Sequence, residues 1–259
     1  MSLVTYSCEN HVATIAINRP DAMNAFNPEL YVAFNEATAQ FKQDDDAWVA
    51  VITSTSEKSF SVGVDIKALN EVMATNPDMA TLEHMFSIDL EGEYFCDKPI
   101  LVAIRGYCVG EGLSLALGAD IRVAGKSASF CLPEAKIGVP TVNAAIHATR
   151  LMGKANAMEL LLTGEQKDAS WAEKKGLVNI VVDDKDVEKV TLEWAHKIAA
   201  LSPLANRATK RIIGKTDAMS FEELSALGAT LRKSVLASND AKEGRQAFIE
   251  KRQPNFTAS

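Results

Sequence analysis

A short apolar run, a glycine turn and then a helical stretch recur along this chain, and that recurrence limits what it can fold into. WVAVIT at 48–53, rich in β-branched residues, leads through a loop to SFSVGVDIKAL, and ILVAIRG at 100–106 leads to the apolar helix of GEGLSLALG. DIRVA at 120–124 reads as another strand, and SASFCLPEAKIGVP at 127–140 as a strand entering a loop. Apolar runs this short predict buried strands, and glycine permits the tight backbone that joins them to helices. The pattern predicts an α/β fold of short β-β-α units, a structural rhythm without a repeat of fixed period.

The flanking segments extend this reading. HVATIAIN at 11–18 alternates like a strand and stops at the turn Arg19-Pro20-Asp21. A helix follows from Asn27 or Pro28, with Leu30, Phe34, Ala37 and Phe41 as its apolar stripe. Asp44-Asp45-Asp46 reads as a solvated loop after it. KANAMELLLTG predicts a helix from residue 154, DASWAEKKG a helix capped by its aspartate, and LVNIVV a strand. Beyond Asp184 the chain reads as helical, with Ser202-Pro203 as punctuation and amphipathic helices over 221–237 and 240–251. Residues 1–200 are expected to form the mixed core and 201–259 a helical C-terminal module.

Composition narrows the functional classes. With 259 residues, 47% of them apolar and 24% charged, the chain can bury a large core and has no disordered character. A net charge of −7 argues against nucleic acid as a partner, so any anionic ligand must meet a local cluster of Lys and Arg. The N-terminal stretch lacks a signal-peptide pattern and no window approaches the roughly 18 apolar residues of a membrane span, which makes the cytoplasm the default location. Cys8, Cys96, Cys108 and Cys131, like His11, His84, His147 and His196, are dispersed. Reduced, buried thiols and no structural metal are expected.

Two segments stand out for chemistry, FSVGVDIK at 60–67 and GYCVGEGLS at 106–114, because each sets glycine between strand and helix. The first amides of a helix have no internal partner. Two such amides converging on one point would make an oxyanion hole, strengthened by the dipole of the helix that begins at Gly110; the alternative is a pair of plain tight turns. Neither segment fits G-x-x-x-x-G-K-[ST], and G-x-G-x-x-G fails at Leu115. Pro133-Glu134 adds a carboxylate among apolar residues, either a general base whose pKa burial would raise or an exposed loop glutamate.

These segments in this order, together with NRPDAMNAF at 18–26, resemble the crotonase superfamily, the enoyl-CoA hydratases and isomerases. The likeness continues through LLLTGEQKDASWAEKKGLVNIVV to FIEKRQPNF and covers nearly the whole chain. It implies a crotonase-like ββα spiral core with a helical C-terminal oligomerisation module, in a homotrimer or a dimer of trimers. It also implies an acyl-CoA thioester substrate, with coenzyme A as part of the substrate and no separate cofactor. By the same resemblance the thioester carbonyl is polarised by the backbone amides of Val64 and Glu111. The family's hydratases add two glutamates; one matches Glu134, whereas Ser114 stands at the place of the other.

A lone carboxylate at Glu134 suits double-bond isomerisation through an enolate, or one-glutamate hydration in which the Ser114 hydroxyl holds water. The alternatives are a crotonase lyase or thioester hydrolase, or a scaffold that binds CoA or RNA without turnover. The Glu111 side chain is expected to point outward, hydrogen-bonded at the helix start; the alternative is a carboxylate reaching the pocket. For the rest of the substrate the resemblance implies contacts from Ala22, Ser61, Val62, Gly63 and Gly110, with Lys67 near the phosphates. It implies further contacts from Phe248 and Lys251 of a neighbouring C-terminal helix, while the altered loop IGVPTVNAA, with Pro140 and Thr141, shapes the acyl end. Asp65 is expected to cap a helix and His147 to serve in packing.

Overall fold

Successive apolar runs alternate between two sheets. In the computed structural model, which describes residues 2–75, 77–88, 90 and 96–259, β1 (Val4–Glu9) and β2 (Val12–Ile17) form a hairpin, and α1 (Pro28–Gln43) follows. Then β3 (Val49–Ser54) enters the large sheet and β4 (Ser59–Ser61) the small one, before α2 (Ile66–Met73) and α3 (Met79–Met85). The next unit repeats this with β5 (Ile100–Ile104), β6 (Tyr107–Val109) and α4 (Glu111–Gly118). A third adds β7 (Ile121–Gly125), β8 (Ser129–Cys131) and α5 (Asn143–Thr163). Then come β9 (Lys167–Asp168), α6 (Ala169–Lys174) and β10 (Ile180–Val182), followed by α7 (Val187–Ala199), α8 (Pro203–Ile213), α9 (Phe221–Ala237) and α10 (Asn239–Glu250). The large sheet runs β1-β2-β3-β5-β7-β10, parallel except for the first pair, and the small one β4-β6-β8-β9. These are the short β-β-α units that the recurrence predicts, in the spiral that the resemblance implies.

The continuous apolar runs arise because the large sheet is covered on both faces. Alternate residues Ile52, Val102 and Ile104 pack with Leu30, Phe34 and Phe41 of α1 in one core, while Val49, Val51, Leu101 and Ala103 pack with Val187, Ala195 and Ala199 of α7 in another. The caps are the residues expected: Asn27 accepts from Leu30 N–H, Asp65 from Lys67 and Ala68 N–H, and Asp168 from Trp171 N–H.

Several expectations are corrected. The helix expected from residue 154 is present as the second part of α5, which Gly153, non-helical at φ 76° and ψ 158°, divides from the part that begins at Asn143. β1, an edge strand with its alternate residues exposed, was not anticipated. All four cysteines are free, yet Cys8 is half-buried where the others are buried. Among the described residues no helix is long and apolar enough to cross a membrane, and no three His, Cys, Asp or Glu side chains gather as a metal cluster would.

Two contacts fix α4, which begins at one of the glycine turns. At its C-terminal end the buried Arg122 guanidinium donates to Ala119 O at 2.6 Å and to Leu177 O at 2.7 Å. Burial draws that guanidinium down to about 10. At the N-terminal end Gly112 lies against β4, where an added Cβ would come within 2.7 Å of Ser61 Cβ and 2.8 Å of Ser61 O. Gly112→Ala therefore forces backbone apart and is expected to lower stability by about 2 kcal/mol. A urea unfolding midpoint equal to the parent's would show that the two elements can separate freely.

Candidate active site

The site is built where the two glycine turns touch. Gly63 has φ +93° and Gly110 φ +55°, conformations that glycine adopts without strain. A Cβ on Gly63 would lie 3.0 Å from Val109 O and 3.2 Å from Glu111 N, and one on Gly110 would lie 3.6 Å from Gly63 Cα. Val64 bridges Phe26 through its neighbours, since Phe26 N–H donates to Gly63 O at 2.7 Å and Asp65 N–H to Phe26 O at 2.8 Å. Its own N–H therefore faces away from Phe26. Among the described residues neither Val64 N–H nor Glu111 N–H, the first amide of α4, has an acceptor.

The segment NRPDAMNAF holds the first turn in place. Asn24, fully buried and left-handed at φ 56°, donates to Ser54 Oγ at 2.8 Å and Phe60 O at 3.1 Å. Ser61 Oγ donates to Asn24 O at 2.8 Å and accepts from Gly63 N–H at 3.1 Å. Arg19 bonds both Ala25 O and Asp65 Oδ2 at 2.8 Å. That guanidinium holds the Asp65 carboxyl below its ordinary range, so Asp65 both caps α2 and braces the turn.

Glu134 stands beside the second turn. It opens a 3-10 turn, Glu134–Ile137, directly after Pro133. Its Oε1 would lie 3.4 Å from a Cβ on Gly110, and its Oε2 accepts from Thr141 Oγ at 3.1 Å. Thr141 thus orients the carboxylate.

Glu111 is turned inward, contrary to the expected outward side chain. Together with Ser114 it lines a cavity of about 330 Å³ between α4 and α5, closed by Ser87, Ile88, Leu90 and Leu115 on one side and by Asn143, Ile146, His147 and Arg150 on the other. Its carboxyl takes a hydrogen bond from Ile88 N–H, and burial, reinforced by the nearby Glu134 charge, pushes its pKa up to about 7. The sequence placed the amide of Glu111 but could not foresee the covering residue 88, far away along the chain.

The other anticipated residues divide into two groups. Ala22 and the 61–63 strand end adjoin one another, Val62 N–H donating to Met23 O at 3.3 Å, and Lys67 is exposed on the first turn of α2. Pro140 is exposed in the loop before α5. Phe248, on α10, and Lys251, its left-handed C-cap, are exposed and line no part of this cavity. His147, expected in packing, stands on the cavity wall. Asn143, read only as part of the altered loop IGVPTVNAA, begins α5 and lines the cavity together with Arg150, which no motif marks.

A family model described as enoyl-CoA hydratase/isomerase matches residues 7–259. The chain is 38% identical over 262 residues to the (E)-benzylidenesuccinyl-CoA hydratase of Thauera aromatica, a match covering 98% of each protein. It is 37% identical over 253 residues to the carnitinyl-CoA dehydratase of Salmonella typhi, covering 94% of each. Among solved structures, the enoyl-CoA hydratase from Mycobacterium tuberculosis H37Rv superposes with a TM-score of 0.89 at 32% identity, covering 100% of both chains.

The raised Glu111 pKa links folding to pH. Between its ordinary value of 4.5 and about 7 the folded chain binds a proton that the unfolded chain releases, so this group makes stability fall as pH rises through that window and level off above it. Glu111→Gln removes the loss. The variant should gain about 3 kcal/mol over the parent at about pH 8, and the gain should vanish near pH 4. Parallel stability curves for the two proteins in urea would contradict this.

Proposed function

The chain belongs to the enoyl-CoA hydratase/isomerase family, and from that premise we propose that it grips an acyl-CoA carbonyl oxygen between Val64 N–H and Glu111 N–H while Glu134 moves the α-proton. It is an acyl-CoA enzyme of the hydratase/isomerase type. Removing a proton beside a thioester throws negative charge onto the carbonyl oxygen, and two amides at a helix start stabilise that enolate without reorganising. The observation that supports this reading is the close approach of Gly63 to Gly110, with the Glu134 carboxylate next to Gly110.

Coenzyme A enters as part of the substrate. Backbone at Ala22 and at Ser61, Val62 and Gly63 lies along its path, and Lys67 supplies a positive charge for its phosphates. The acyl group enters the cavity beside Glu111, whose far wall carries Asn143, His147 and Arg150; Arg150 also pairs with Asp217 at 2.7 Å. That polar wall favours an acyl chain bearing a second polar or anionic group over a plain alkyl chain. The name of the Thauera aromatica relative, with its succinyl group, supports the same class.

Exchange of the α-protons of saturated acyl-CoA esters in heavy water, read by mass spectrometry, tests the assignment directly. Glu134→Gln should slow exchange 10²–10⁴-fold, on the order expected for loss of a general base, and a succinyl ester should exchange faster than a butyryl ester. Undiminished exchange in the variant would end the role given to Glu134.

The C-terminal helices expose Phe221, Leu236, Phe248 and Ile249, apolar area that a second copy would cover. We infer a trimer or a dimer of trimers in which Phe248 and Lys251 reach a neighbour's coenzyme. Sedimentation should give that mass, and a monomer at micromolar concentration would refute it.

A further inference from the structure

Adding water to an enoyl thioester, or removing it, requires proton handling at two places, Cα and the β-oxygen. Glu134 accounts for one. Ser114 lines the cavity, but its hydroxyl is not an acid near neutrality. Glu111 lies three residues earlier on the same face of α4 and shares that lining. Its carboxyl points inward, takes the Ile88 N–H and lies within electrostatic range of Glu134. Tyr31 of α1 is also within that range, and its buried phenol has no hydrogen-bond partner among the described residues. Across the cavity, α5 contributes His147 and Arg150. Glu111 is therefore the carboxyl that lines this cavity, while Glu134 lies next to Gly110, outside its lining.

We propose that Glu111 is the second acid–base group of this site, so that the enzyme adds water to an enoyl thioester or eliminates it from a 3-hydroxyacyl thioester. This rests on the acyl-CoA reading above and goes beyond it by naming the reaction and the residue. In elimination the Glu134 carboxylate takes the Cα proton, and the electron pair is held as the enolate at the two amides. The pair then forms the Cα–Cβ double bond as the Cβ–O bond breaks, and the Glu111 carboxyl gives its proton to the departing hydroxide, which leaves as water. Addition reverses each step. The two carboxyls hold one proton and one negative charge before and after the reaction; at the enolate stage both are protonated and the charge lies on the enolate oxygen, and the proton returns from Glu134 to Glu111 through solvent before the next turnover. Because Glu111 starts neutral, it does not repel the forming enolate beside its own amide. Its raised pKa accords with that starting state.

Two readouts separate this proposal from the reading beneath it: α-proton exchange, and interconversion of an enoyl-CoA with its 3-hydroxyacyl-CoA. Glu111→Gln, which keeps the backbone amide, should slow water addition 10²–10⁴-fold while exchange falls by no more than about tenfold. Glu134→Gln should slow both. Acyl-CoA binding measured by calorimetry verifies that each variant is folded, and Glu111→Asp, which keeps an acid, should recover part of the lost hydration if the acid is what matters. Equal loss of both activities in Glu111→Gln, or hydration within about tenfold of the parent, overturns the proposal. A parent enzyme that exchanges α-protons yet hydrates no enoyl-CoA also overturns it and leaves the enolate reading standing. A parent that exchanges none overturns that reading, and the proposal with it.

Discussion

Everything in the site depends on how closely two turns can approach. Gly63 and Gly110 meet backbone to backbone, and a side chain on Gly63 would press on Val109 O and Glu111 N. Both glycines also hold positive φ, so the approach requires their backbone freedom as well as their lack of bulk. From that contact follow the nearness of two unspent amides and the placement of the α4 N-terminus toward the same spot. It also leaves room for Glu134 beside Gly110.

Such a contact holds only if the elements behind it are rigid. Behind the first turn, buried Asn24 ties three segments together, and Arg19 joins Asp65 to Ala25 O. Behind the second, Arg122 gathers the carbonyls at the far end of α4, and Gly112 lets that helix lie on β4. Removing a partner from any of these buried groups leaves an unpaired donor or acceptor away from water, a larger cost than the bond itself contributes. The polar network is therefore the mechanical support of the two glycine turns. The apolar layers between the large sheet, α1 and α7 supply most of the driving force for folding.

The sequence reveals most clearly those features in which local signals agree. α1 is legible because Asn27, Pro28 and the stripe from Leu30 to Phe41 all point to one helix, and 221–237 is matched residue for residue by α9. The two glycine turns and the Pro133-Glu134 corner are legible as well, since each combines a strand, a glycine or proline and a change of period. What is hidden depends on distant partners. Asn24 looks like an ordinary turn residue until Ser54 and Phe60 close around it. The Glu111 carboxyl is met by the Ile88 backbone N–H, from elsewhere in the chain.

The helix itself explains how a carboxyl can leave the usual position and still serve the same pocket. Positions 111 and 114 lie on one face of α4, about one turn apart, so an acid at either can reach a cavity alongside that face. Position 111 carries a second duty, because its N–H is one of the two amides at the turn, and that duty belongs to the main chain and tolerates any side chain compatible with the helix start. Glycine is required at 110, where φ is positive, and at 112, where β4 is too close, but not at 111. The side chain between them is therefore free to be chosen for chemistry. Burial and the Glu134 charge raise the pKa of the carboxyl at 111 to about 7, toward its neutral form. Ser114 shares the cavity lining with Glu111 and presents a hydroxyl that can donate and accept.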